Sequence, residues 1–206
     1  MSDEKLRSLA PPEDVVLCAR SVMGAIDFDP YSNSGNNRLV QAASFLDETQ
    51  FELDDVVAQD WQVPGDGRAF VSPPGRARDT RRLLNKTLRV YRKGIIKEAV
   101  LWVAHNESII KLPWLWDFPA CIPFRRCRPC WWDEELETFR AISMGDWSAV
   151  FYLPPSDTPA LFSTRLARFH GTFSHIGRVV FNEMSGEGDW EAAYKRQFNK
   201  PYDYRS

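Results

Sequence analysis

The residues Arg68-Ala69-Phe70-Val71-Ser72-Pro73-Pro74-Gly75 join a short apolar run to a stiff polar stop. Ala69 to Val71 reads as the end of a buried strand. Two successive prolines then fix φ twice and remove two donors, so the strand cannot continue. The pre-proline restriction keeps Ser72 and Pro73 extended. A rigid peptide at a strand's carboxyl end stands where open α/β sheets place their ligands. The chemistry it suits is the orientation of an amine. An exocyclic amino group on a nucleobase is a poor nucleophile, because its lone pair is delocalised into the ring. A side-chain oxygen at Ser72 and the rigid carbonyl of Pro73, both accepting its hydrogens, would aim it at a methyl donor. The plainer reading is a Pro-Pro turn that only ends a strand.

A second constellation is Asp29-Pro30-Tyr31-Ser32, after the short apolar stretch Ala25 to Phe28. A carboxylate at the end of that strand can accept from an ammonium or hydroxyl of a cofactor, or can simply close an Asp-Pro turn. Asp47 follows the next strand candidate about 20 residues on, where dinucleotide-type sites hold a ribose. His105 follows the apolar run Glu98 to Ala104 and reads as a structural histidine more readily than as a base. Two basic stretches could meet phosphate. One is the helix from Asp79 to Lys93 with the arginines that precede and open it, among them Arg76, Arg78 and Arg81. The other is Arg125, Arg126 and Arg128, interleaved with Trp131 and Trp132, a mixture that suits backbone contact plus base stacking. The alternatives are a solvated helix face and a strand with core tryptophans. Cys127-x-x-Cys130 lacks a second ligand pair at zinc spacing, so no metal is expected.

These residues need elements to hold them. Pro11-Pro12-Glu13-Asp14 opens a helix whose stripe is Val15, Val16, Ala19, Val22 and Met23, stopped by Gly24. Strands are expected at Ala25 to Phe28, Ala43 to Leu46, Ala69 to Val71, Glu98 to Ala104, Ala120 to Pro123, Trp147 to Leu153 and Ile176 to Phe181. Helices are expected at Arg38 to Ala43, Asp79 to Lys93, Leu112 to Trp116, Phe162 to Phe169 and Trp190 to Gln197. Leu53 to Trp61 reads as an acidic connection. Residues 1–10 read as a flexible start, 11–185 as one domain and 186–206 as a polar, aromatic tail.

The chain has 206 residues, 44% of them hydrophobic, which is ample for one core. A net charge of −2 confines any nucleic-acid contact to a local basic face. No apolar leader and no run of about 18 apolar residues is present, and four cysteines fit a reducing compartment, so a cytoplasmic protein is expected.

The order of the pieces resembles the phage-type DNA N6-adenine methyltransferases, the Dam-like family of phages and prophages. Pro11-Pro12-Glu13 matches that family's helix start. Met23-Gly24-Ala25-Ile26-Asp27-Phe28-Asp29-Pro30-Tyr31-Ser32 matches its Leu-Gly followed by Ile-Asp-Leu-Asp-Pro-x-Ser. Asn37, Val40, Ala42, Ala43 and Phe45 then follow in family order. Trp61 precedes Ser72-Pro73-Pro74-Gly75, where the family has Asn-Pro-Pro-Tyr. The likeness spans roughly residues 11 to 132. It implies a Rossmann-like, S-adenosylmethionine-dependent methyltransferase fold, a mostly parallel sheet with helices on both faces. It implies Asp29, Pro30, Ser32 and Asp47 at the S-adenosylmethionine site, Ser72, Pro73 and Pro74 at the target amino group, and DNA as partner, with protection of phage DNA from restriction as the setting.

Two departures bear on activity. Serine at the first position is also used on cytosine N4, so the base stays open between adenine and cytosine. Gly75 stands where the family's aromatic stacks on the base, a contact worth about 1–3 kcal/mol. Another aromatic could supply it, with Trp114, Trp116 and Trp131 the candidates. Otherwise the chain is an inactive relative that binds DNA or a host protein.

Overall fold

The structure is a computed structural model and describes residues 9–73, 75–142, 147–155 and 157–181. Helix α1 spans Glu13–Met23, and its five buried residues are Val15, Val16, Ala19, Val22 and Met23. It starts after two prolines, carries Glu13 and Asp14 in its positive first turn, and ends at Gly24 with φ 85°. Strand β1 is Phe28–Ser32. Helix α2, Ser34–Val40, begins where the Asn33 side chain accepts from the Asn36 N–H. Then come β2 (Ser44–Asp47), α3 (Leu53–Ala58), β3 (Arg68–Val71) and the basic helix α4 (Ala77–Arg92). Strand β4 (Glu98–Val103) is followed by α5 (Asn106–Lys111), a 3₁₀ turn at Pro113–Asp117, and β5 (Ala120–Pro123). The chain continues with β6 (Cys130–Asp133), β7 (Thr138–Ala141), β8 (Ala149–Leu153), α6 (Pro159–Phe173) and β9 (Gly177–Val180).

The fold is α/β. Seven strands form one sheet in the order β2-β1-β3-β4-β8-β5-β9, and β6 and β7 pair as a separate hairpin. Strands β2, β1, β3 and β4 run parallel. Strand β8 lies antiparallel between β4 and β5, and β9 is antiparallel to β5. Five strands thus point one way and two oppose them. Alternation along each strand feeds two cores. Ala69, Val71, Ala99, Leu101 and Phe151 pack with Leu83, Leu84 and Leu88 of α4 and Val56 of α3. Phe70, Val100, Trp102, Val150 and Tyr152 pack with Val15, Val16 and Ala19 of α1 and Phe162, Leu166 and Phe169 of α6. Helices therefore cover both faces, which is why β4 and β8 are buried at every position.

Several boundaries differ from expectation for identifiable reasons. Strand β1 contains Asp29 and Pro30 instead of stopping before them. Its register with β2 shifts between Asp29 and Ser32, and such an irregularity spares a proline the ladder bond it cannot donate. The acidic connection after Phe51 holds α3, which buries only Leu53 and Val56, too few apolar residues for a visible period. Helix α5 was also hidden, being six residues long. The tail helix expected at Trp190 to Gln197, the tail of 186–206 and residues 1–8 of the expected flexible start lie outside the described residues.

At the amino end of the sheet, Asp27 is 5% exposed and receives Arg68 on both oxygens, Nε to Oδ2 and Nη2 to Oδ1, each at 2.9 Å. Burial acts upward on its carboxyl, yet the Arg68 hydrogen bonds hold it below the usual range. This pair ties the starts of β1 and β3 together, so their carboxyl ends emerge side by side.

Candidate functional site

The parallel strands β2-β1-β3-β4 have a topological switch point between β1 and β3, where the connections diverge to opposite sides and leave a crevice beyond the strand ends. A cleft open to solvent lies there. Its walls include Asp29, Ser32 and Asn36 on one side and Ser72, Pro73 and Gly75 on the other, with Trp102 and His105 behind. Two stretches about 40 residues apart in sequence thus meet in one place.

Asp29 is 1% exposed. Its Oδ1 accepts the Tyr31 N–H at 3.2 Å. Burial pushes its carboxyl up to about 8, the hydrogen bonds from Tyr31 and Ser32 only partly oppose this, and the nearby Glu48 charge adds to the rise. The cleft therefore holds a carboxyl group that is largely neutral at pH 7 and that ionises most readily beside a cation. Ser72, 9% exposed, follows directly on β3. His105 Nε2 donates to the Gly75 carbonyl and ties the loop after Ser72 to the end of β4. Ser108 Oγ donates to the Ala77 carbonyl at 3.1 Å and fixes the start of α4. The histidine thus serves as a positioning group for the Ser-Pro-Pro-Gly peptide.

Of the residues singled out from sequence, Asp29, Ser32, Ser72 and Pro73 line the cleft. Pro30 is buried within β1 between them. Pro74 lies outside the described residues. Asp47 ends the neighbouring β2, where its Oδ1 accepts from the Thr49 N–H at 2.9 Å and the Thr49 hydroxyl at 2.7 Å, closing its own turn. Arg76 and Arg78 are exposed at the start of α4, next to the cleft. Arg81 is partly covered and pairs with Glu107 at 3.1 Å. Arg125, Arg126 and Arg128 are exposed in the segment between β5 and β6. The hairpin they lead into reaches the cleft wall through Ala10, which bridges Cys130 while its neighbours Leu9 and Pro11 line the cleft. Among the described residues no group of His, Cys, Asp and Glu is arranged to hold a metal.

The expected replacement for the missing aromatic is corrected by the packing. Trp114 is buried in the core and its indole N–H donates to Asn85 at 3.0 Å. Trp116 packs edge-on to Phe151. Trp131 lies under Arg140 on the hairpin. The aromatic residues that line the cleft are Tyr31 and Trp102. Trp102 was not singled out because it sits inside a continuous apolar run that reads as core. The alternation of β4 was the one signal available. Asn36 and Thr80 also line the cleft and were missed, since one sits in a short helix and the other on the buried face of a basic one.

Comparison of the chain with protein-family models, with curated proteins and with solved structures yields no match.

Proposed function

We propose that this chain is an S-adenosylmethionine-dependent methyltransferase acting on the exocyclic amino group of a DNA base, adenine N6 or cytosine N4, on a Rossmann-like methyltransferase fold. The observation that carries the reading is the convergence of Asp29 and Ser32 with Ser72 and Pro73 in one cleft at the β1/β3 switch point. Those are the two constellations that the likeness to phage-type enzymes assigns to cofactor and to target amine. Methionine's ammonium and the sulfonium are cationic, and a buried carboxyl gains most by ionising next to such a charge. The Ser72 hydroxyl and the Pro73 carbonyl would accept the two amino hydrogens. That turns the nitrogen lone pair towards the sulfonium methyl for in-line transfer, and the extra proton leaves the nitrogen afterwards. Exposed Arg76 and Arg78 at the cleft, with Arg125, Arg126 and Arg128 near it, supply phosphate contacts that would hold a flipped base over the opening.

Calorimetric titration with S-adenosylmethionine and S-adenosylhomocysteine tests the cofactor half. Micromolar binding that disappears in Asp29→Ala is expected. The transfer half is read from Ser72→Ala, which keeps cofactor affinity and lowers DNA methylation about a hundredfold, the scale of one missing positioning hydrogen bond in a transition state.

Gly75 favours a second reading. Without a side chain at that position, the peptide offers no stacking surface. A relative that no longer transfers methyl groups but still binds DNA or a host protein would show neither cofactor binding nor a gain of methylation in Gly75→Tyr.

A further inference from the structure

We propose that Trp102 reads the target base, its indole N–H donating to the ring nitrogen beside the amino group and so admitting adenine or cytosine while rejecting guanine and thymine. This rests on the amino-methyltransferase reading and extends it to base selection. Trp102 is 4% exposed, and its indole nitrogen is buried with no hydrogen-bond partner among the described residues. Buried donors are nearly always paired, so a stranded one on a residue that lines a cleft points to a ligand acceptor. The sheet register sets its place. Val71 pairs with Leu101 across β3 and β4, and one further step puts Ser72 beside Trp102. Phe70 and Val100 face the same core, so their period-two successors Ser72 and Trp102 share that face. Asp29 alternates with Phe28, which faces the opposite core, and so belongs to the same side. Across three adjacent strands the cleft offers a carboxyl, a hydroxyl acceptor and an indole donor.

That order fits one kind of base edge. Indole can only donate. A flipped base is read on its Watson–Crick edge. Adenine presents an amino donor next to the acceptor N1, and cytosine an amino donor next to the acceptor N3. Guanine and thymine present a carbonyl next to a ring N–H. With Ser72 and Pro73 accepting from the amino group, Trp102 completes a match to the first pair. For the second pair it sets N–H against N–H and oxygen against oxygen. Tyr31, Asn36, Thr80, Ala104 and His105 also line the cleft, and the Trp102→Phe arm of the test separates the indole from their donors.

The test begins with random-sequence duplex DNA, S-adenosylmethionine and mass spectrometry of the digested nucleosides, which names the methylated base. Synthetic duplexes then carry that base or its deaza analogue, 1-deazaadenine or 3-deazacytosine, in which the ring acceptor is a C–H. For the unaltered protein kcat/KM should fall about ten- to hundredfold on the analogue, the scale of one buried donor left unpaired. Trp102→Phe should lose a similar factor on natural DNA and nothing further on the analogue, with cofactor affinity unchanged. Full activity of Trp102→Phe on natural DNA, or its continued sensitivity to the analogue, overturns the assignment. Should that variant fail to fold, indifference of the unaltered protein to the analogue overturns it instead. Methylated guanine or thymine does so as well. Cofactor binding without any methylated base removes the transfer reading and this assignment with it. No cofactor binding at all removes the whole proposed function.

Discussion

Asp29 couples the cleft to pH. In the unfolded chain an aspartate titrates near 3.9, whereas in the folded protein burial holds Asp29 at about 8. Between those values the folded state keeps a proton that the unfolded chain has released. Stability from this group is therefore greatest below about pH 4, falls as pH rises, and levels off beyond about pH 8. The limiting slope is about 1.4 kcal/mol per pH unit for one proton. Asp29→Asn keeps an oxygen for the Tyr31 N–H but carries no charge. Chemical denaturation from pH 5 to 8 should show the original protein losing stability relative to this variant. Equal pH profiles would mean that Asp29 ionises freely. A cationic ligand should reverse the trend, stabilising the original protein more at pH 8 than at pH 6 and leaving the variant nearly unaffected.

The elements hold the cleft by a few exacting contacts, and these differ in how well the sequence announces them. Helix α1 was readable in full, because prolines, acids, an apolar stripe and a terminal glycine all agree. Strand β4 was readable as buried, but six buried positions in a row hide which of them lines the cleft. Trp102 escaped notice in that way. Asp29 and Ser72 were legible because proline beside a polar residue at a strand end is a local signal. Their meeting was not legible, since it depends on β1 and β3 being neighbours. Gly177 shows another contact invisible in sequence. A Cβ there would lie 2.4 Å from Cys121 Sγ and 2.5 Å from the Ile122 carbonyl oxygen. Gly177→Ala should push β9 off β5 and cost about 1–3 kcal/mol, the usual range for overpacking. Thermal unfolding would register the drop. The cleft lies at the other half of the sheet, so the S-adenosylmethionine binding proposed above should survive.

For the molecule as a whole, charge is nearly balanced, with 26 basic and 28 acidic residues. Any DNA contact must then come from local placement. The hairpin is divided in this respect. Arg125, Arg126 and Arg128 precede it, while its turn carries exposed Glu134, Glu135 and Glu137 around the exposed Leu136. A turn of that charge is repelled by phosphate, so under the proposed function the segment before β6, not the hairpin tip, should approach a duplex. Replacing the three arginines with alanine should weaken DNA binding and reduce the slope of log K against log salt by up to about 2.7, near 0.9 for each phosphate no longer neutralised. An unchanged slope in a salt titration would place the DNA elsewhere, with the exposed start of α4 the next surface to vary.

The antiparallel strand β8 has a consequence for synthesis. It separates β4 from β5, although those two strands leave the ribosome long before it does. The half carrying Asp29 and Ser72 can assemble early from short crossovers, while β4 and β5 wait with unpaired edges for a strand made later. Non-local pairing of this kind is slow, and open edges invite association between nascent chains. Translation that stalls before Ala149 should therefore yield an aggregating intermediate. The cleft's front wall would be in place before the sheet behind it is zipped.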